Sequence, residues 1–155
     1  MLRWCGKTAL VLGVALSALT SVDGVRAEQR VIDGDTIVID GVHHRLYGID
    51  APESRQACAD GWQAGKAASQ TLAALMEGRT IACESRGHDR YGRSVALCRA
   101  DGRDLGAEMV RAGMAVAFTR YSTDYAGLEA AAKAARLGVH LHGCIPPWEW
   151  RAQRH

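Results

Sequence analysis

Residues 30–50 read RVIDGDTIVIDGVHHRLYGID, and the reading of this stretch decides the fold. Val31, Ile37, Val38 and Ile39 are β-branched side chains that suit a pleated, half-buried surface, so residues 30–39 are expected to be extended. Asp40-Gly41 is a strong two-residue hairpin signal, and residues 42–49 resume the extended pattern. Gly34, inside the first run, points to a bulge or bend rather than a straight strand. Ala51-Pro52-Glu53 then stops the sheet and opens a loop that runs to about Gly61.

Working outward, Ala68, Leu72 and Leu75 fall at helical spacing, so a helix is expected over residues 62–76, with Gly78 as its stop. Residues 80–84 and 94–99 read as two further strands joined by a polar segment that contains Asp89-Arg90-Tyr91-Gly92-Arg93. Asp104 can cap a short helix bearing Leu105, Met109 and Val110, which Gly113 ends. A last helix is expected over residues 123–137, capped by Thr123 or Asp124, buried through Tyr125, Leu128 and Ala132, and supported by a Glu129–Lys133 pair. The tail with Pro146, Pro147, Trp148 and Trp150 reads as irregular, packed on the core by its tryptophans. His43-His44 follow the hairpin turn, and His140 and His142 read as a solvated segment after the helix. Three strands, a helix, two strands and two helices is the order of an OB-type barrel, so the expected class is α+β: a five-stranded OB-fold barrel with three helices.

The composition, 48% hydrophobic and 23% charged over 155 residues, excludes a disordered chain and suits one ordinary domain. The one long apolar run lies at the front. Behind Arg3 and Lys7, an apolar core through Leu10, Leu12, Leu16 and Leu19 precedes Val25-Arg26-Ala27, the pattern of a signal peptide cleaved before Glu28. The expected division is a leader over residues 1–27 and a domain over residues 28–155, hence a secreted or periplasmic protein; an uncleaved membrane anchor is the alternative. Without the leader the chain keeps sixteen basic and sixteen acidic side chains, so any contact with a polyanion must rest on locally placed arginines.

Export also reframes the cysteines. Cys58, Cys83, Cys98 and Cys144 remain in an oxidising compartment, none in a Cys-x-x-Cys spacing, and three pairings are open. Cys83 and Cys98 stand on successive expected strands at nearly equal distances from Tyr91, which favours a bridge across that hairpin if the register is right. Cys58 with Cys144 would follow by elimination, tying the loop after Glu53 to the tail; a reduced, buried pair is the alternative.

Four acids, Asp33, Asp35, Asp50 and Glu53, gather at the ends of neighbouring expected strands, with Arg45 and the Asp89–Arg93 segment as cationic company. Each acid alone has an ordinary explanation as a turn former. Together they suit metal-assisted attack on a phosphodiester. A hard cation takes oxygen ligands, a phosphorane-like transition state takes forked cationic donors, and the attacking water needs a carboxylate.

Three blocks, Val31-Ile32-Asp33-Gly34-Asp35-Thr36, then Arg45-Leu46-x-Gly48-Ile49-Asp50-Ala51-Pro52-Glu53, then Asp89-Arg90-Tyr91-Gly92-Arg93, resemble in order and spacing the signature blocks of the staphylococcal nuclease family. The resemblance implies one Ca²⁺ held by Asp35, Asp50 and the backbone carbonyl of Ala51, with Asp33 and Thr36 supporting these ligands. Glu53 resembles the residue that activates water. Arg45 and Arg93 resemble the pair that grips the scissile phosphate, Arg90 and Tyr91 would touch a flanking phosphate, and Tyr121 would border the nucleoside pocket. Ala51 and Thr119 depart from the best-known pattern, which has Thr at the first position and a second pocket Tyr near the other. The activity implied is Ca²⁺-dependent hydrolysis of DNA and RNA with little sequence preference, leaving 3′-phosphates, and no stable protein partner is implied. A binding module of the same fold that has lost catalysis is the alternative.

Overall fold

The structure, a computed structural model, describes Met1 and residues 28–154, so the expected leader lies, Met1 apart, outside the described residues. The first extended run is broken as Gly34 foreshadows. β1 (Gln29–Val31) and β2 (Thr36–Ile39) pair antiparallel around a bend at residues 32–35, and β3 (Val42–Leu46) returns after the Asp40-Gly41 turn. Both turn residues have positive φ, at 48° and 79°, the geometry this dipeptide is selected for. At Tyr47-Gly48 the strand breaks again, and β4 (Ile49–Asp50) turns away to pair with β8 (Val116–Ala117). Gly48 takes φ +73°, and a Cβ there would lie 2.9 Å from the Tyr125 ring.

The helix expected over residues 62–76 forms as α1 (Ala64–Met76), burying Ala68, Leu72 and Met76. It leads into the long hairpin β5 (Ile81–His88) and β6 (Ser94–Ala100), bulged between Ser85 and Gly87. β6 runs parallel to β3 and so joins the two hairpins into one mixed sheet, ordered β1-β2-β3-β6-β5, with β7 (Arg103–Asp104) also on β6. α2 (Leu105–Arg111) starts from Asp104, whose carboxylate accepts the Ala107 amide at 3.2 Å as expected of its cap. α3 (Ala126–Ala134) follows, then a 3₁₀ turn (Gly138–His140) and α4 (Pro147–Ala152). Ile37, Leu46, Ile49, Leu72, Leu105 and Met109 meet in the core between the sheet and the first two helices. No helix among the described residues is long and apolar enough to cross a membrane.

The α+β class and the OB order hold, with corrections. The sheet does not close into a barrel, because β4 leaves β3 at Gly48 and pairs separately with β8. The described residues hold four α-helices rather than three: the tail read as irregular contains α4, with Pro147 in its first turn, where a missing amide hydrogen costs nothing. α3 is shorter than its expected span, and Tyr125 rather than Thr123 or Asp124 precedes it without a side-chain cap. Glu129 does pair with Lys133, at 2.8 Å, and also accepts the Ala117 amide of β8. His142 is only half-exposed and has partners: its ring stacks on Trp62 at 4.2 Å, and its Nδ1 lies 2.6 Å from Asp60.

Two glycines bring α1 against the loops that matter for the site. A Cβ on Gly34 would lie 2.7 Å from the side chains of both Ala51 and Ala68, and one on Gly65 would lie 1.9 Å from the Glu53 carbonyl oxygen. Backbone cannot yield as a flexible side chain can. Gly65→Ala is therefore expected to cost at least about 2 kcal/mol, the scale of forced overpacking, and to displace Glu53. A fall in the urea midpoint together with lost activity checks it.

Candidate active site

Register places the first groups. In the β2–β3 pair Thr36 faces Arg45, so the Arg45 side chain lies beside Asp35, the residue just before β2. β4 then carries Asp50 back to the same point, and both acids are buried, Asp50 completely. Arg45 forks onto Asp35, Nη1 to Oδ1 at 3.2 Å and Nη2 to Oδ2 at 2.9 Å, and the same Nη2 lies 2.8 Å from Asp50 Oδ1. Asp35 also accepts the Thr36 hydroxyl at 3.0 Å and the Ala51 amide at 3.2 Å. Asp33 makes no contact with the arginine. Its carboxylate accepts the Asp35 amide at 3.0 Å, fixing the bend, so the ordinary turn reading describes its contact.

The second hairpin adds Arg93. Because β6 is parallel to β3 with His44 opposite Ser94, Arg93 enters next to Thr36 and donates to its hydroxyl at 3.3 Å. Asp89 shapes this turn: its carboxylate accepts the Tyr91 and Arg93 amides and the Arg93 Nε at 2.7 Å. Arg90 and Tyr91 project outward from the tip. Tyr91 is exposed, with the Arg90 guanidinium 4.8 Å from its ring centre. Tyr121 is exposed as well and packs on Phe118 at 5.1 Å, outside the ionic network.

Glu53 joins from the loop after β4, through a residue that sequence reading missed. Arg151 of α4 donates Nη1 to Glu53 Oε1 at 2.6 Å and to Asp50 Oδ1 at 3.2 Å, and Nη2 to Asp50 Oδ2 at 2.8 Å. One chain of contacts thus runs Asp89–Arg93–Thr36–Asp35–Arg45–Asp50–Arg151–Glu53. Gln56 was missed too. Fully buried, it accepts the Glu53 amide at 3.1 Å and donates to the Ile145 carbonyl at 2.8 Å, so it sets the Glu53 loop against the tail. The Cys58–Cys144 disulfide ties the same two segments, and Cys83–Cys98 crosses β5 and β6 at directly facing positions, so both expected pairings are present.

Burial pushes the Asp35 carboxyl up to about 7, with Asp33 and Asp50 adding repulsion against the pull of Arg45 and the Ala51 amide. The side chains of Asp50 and Glu53, by contrast, hold Arg151 firmly charged against its partial burial. A buried acid raised this way favours a proton or a further cation. The available donors, the close carboxylates of Asp35 and Asp50, are oxygens, which fits a hard divalent ion and not a soft one.

The model of the family described as staphylococcal nuclease homologue matches residues 43–140. A succinoglycan biosynthesis protein, ExoI, of Rhizobium meliloti is 37% identical over 79% of this chain and 69% of its own length. An uncharacterized endonuclease of Haemophilus influenzae is 31% identical over 93% of this chain and 82% of that protein. A micrococcal nuclease of Shigella flexneri is 33% identical over 92% of this chain and 88% of its own.

Proposed function

We propose, for a chain that belongs to the staphylococcal nuclease family, that it is an exported Ca²⁺-dependent nuclease that hydrolyses DNA and RNA with little sequence preference. The observation that carries the reading is the single network in which Asp35 and Asp50 share Arg45 while Arg93 and Glu53 stand at its two sides. Two similar proteins named as nucleases support the reaction class.

Asp35, Asp50 and the Ala51 carbonyl are the groups assigned to the cation, which when bound supplies Lewis-acid polarisation of a phosphoryl oxygen. Glu53 orients the attacking water and takes its proton. Arg45, through the N–H groups that Asp35 and Asp50 leave free, and Arg93, through its terminal nitrogens, donate hydrogen bonds to the non-bridging oxygens, where negative charge builds as the water oxygen bonds to phosphorus. The bond from phosphorus to the 5′-oxygen breaks, that oxygen takes a proton from solvent, and the products are a 3′-phosphate and a 5′-hydroxyl. Asp33 and Thr36 hold the ligands in place, Arg90 and Tyr91 receive a neighbouring phosphate, and Tyr121 offers a face to a base. These contacts go to phosphate and sugar rather than to base edges, hence the low sequence preference.

Residues 1–27 are assigned to a cleaved leader and residues 28–155 to the nuclease domain, secreted or periplasmic. Two disulfides support that placement, since such bonds persist where thiols oxidise.

Plasmid DNA incubated with the purified protein tests the reading: cleavage in Ca²⁺ and none in chelator is expected. Retarded but intact DNA in Ca²⁺ would instead support the binding module. Glu53→Ser should leave Ca²⁺ uptake intact while slowing turnover by about a hundredfold or more, the usual contribution of a positioned base. Calorimetry with Ca²⁺ beside a cleavage assay checks it, and parental turnover would remove Glu53 from its role.

A further inference from the structure

Asp50 is assigned to a cation, yet both of its oxygens are already taken. Oδ1 lies 2.8 Å from Arg45 Nη2 and 3.2 Å from Arg151 Nη1, and Oδ2 lies 2.8 Å from Arg151 Nη2. The carboxylate is completely buried with both arginines in place, so a cation gains access to it only when one of them draws back. One arginine has to move. Each arginine also holds a second acid, but Arg45, on β3, is forked onto both oxygens of buried Asp35, whereas Arg151 holds one oxygen of the more exposed Glu53 and can keep it while giving up Asp50. Arg151 reaches in from α4 on a side chain 36% exposed, and rotation about its own stem is enough to withdraw it.

The placement of Arg151 is built rather than incidental. Cys58–Cys144, Gln56 to the Ile145 carbonyl and His142 to Asp60 all fasten the segment before α4 to the loop that carries Glu53. That fastening survives when one side chain swings out. It keeps the guanidinium within reach of its carboxylates whether or not it is bound to them.

We propose that Arg151 is a resident counter-cation, which neutralises Asp50 and Glu53 in the metal-free protein and gives up Asp50 when a divalent cation binds. The inference rests on the reading that Asp35 and Asp50 hold that cation. Arg151 acts through Asp50 and is a positioning residue. Before metal arrives it gives buried Asp50 a second cation beside Arg45, which Asp35 already shares, and it sets the affinity at which metal is taken up. Arg151 and the cation are therefore antagonists, and by linkage each weakens the hold of the other.

Two variants separate charge from packing. Arg151→Met keeps the aliphatic stem without charge, and Arg151→Lys keeps charge without the fork. Calorimetric titration of the purified chain with Ca²⁺ is expected to show Arg151→Met binding about tenfold more tightly than the parent, the worth of one charge-assisted hydrogen bond, with Arg151→Lys between them. Arg151→Met should also melt below the parent in chelator and level with it in saturating Ca²⁺. Unchanged or weaker affinity in Arg151→Met, or a melting deficit of the same size with and without Ca²⁺, overturns the proposal while leaving the cation site standing. Absence of uptake in the parent and both variants removes the site itself, and the antagonism with it. Should Arg151→Met not fold, Arg151→Lys carries the same comparison, and affinity at or below the parental value overturns the proposal there too.

Discussion

Arg93→Lys is expected to lose about a hundred- to thousandfold in turnover, the usual cost of deleting one preorganised donor at a developing oxyanion. Its urea midpoint should stay close to that of the parent. The reason lies in how Arg93 is used. Its Nε is spent on Asp89 at 2.7 Å, which fixes the plane of the guanidinium, and Nη1 donates to the Thr36 hydroxyl. A lysine ammonium is one point on a flexible stem and cannot hold Asp89 and offer a fork at the same time. Stability changes little because the Arg93–Asp89 pair is partly exposed and such pairs contribute little. Steady-state cleavage measured beside urea unfolding checks both halves. A variant that cleaves at the parental rate takes Arg93 out of the reaction.

The second large effect is on stability. Replacing Cys58 and Cys144 together by serine is expected to cost about 4–5 kcal/mol, because the bridge closes a long loop in the unfolded chain. The two cysteines are 86 residues apart, against 15 for Cys83 and Cys98, whose removal should cost about 3 kcal/mol by the same chain-entropy argument. The variant should lose activity as well, since Gln56 and α4 then hold the Glu53 loop without a covalent tie. Urea unfolding of the two double-serine variants ranks the bridges. A larger loss from the β5–β6 bridge would contradict the assignment of Cys58–Cys144 as the main staple.

Both predictions show which parts of the molecule short-range sequence reading reaches. Asp40-Gly41, the break at Gly34, the Asp104 cap and the facing positions of Cys83 and Cys98 are local signals, and each has its counterpart in the structure. Asp35 meets Arg45 because the β2–β3 hairpin sets the residue before β2 beside it, and β4 carries Asp50 back to the same point, so their gathering was legible from strand ends. Arg93 needs one further fact, the parallel pairing of β3 with β6, which strand order under an OB-type reading supplies. Arg151 and Gln56 were not legible. Arg151 reaches Asp50 across 101 residues and Gln56 reaches Ile145 across 89, and nothing in a sequence period encodes such contacts. A weak signal existed for α4, since proline followed by Trp-Glu-Trp-Arg suits a first helical turn, but the Pro146-Pro147 pair reads first as loop. The family model matches residues 43–140, and Arg151 lies beyond that stretch. His142 misled for the same long-range reason: its partners Trp62 and Asp60 stand in the loop before α1.

Asp35 and Asp50 at two strand ends share one hard cation in the proposed site, and calorimetry with Ca²⁺ on the parent, Asp35→Asn and Asp50→Asn is the decisive measurement. One Ca²⁺ per chain is expected for the parent and none for either variant, with all three proteins folded by circular dichroism. Uptake that survives either substitution at parental affinity would contradict the shared site.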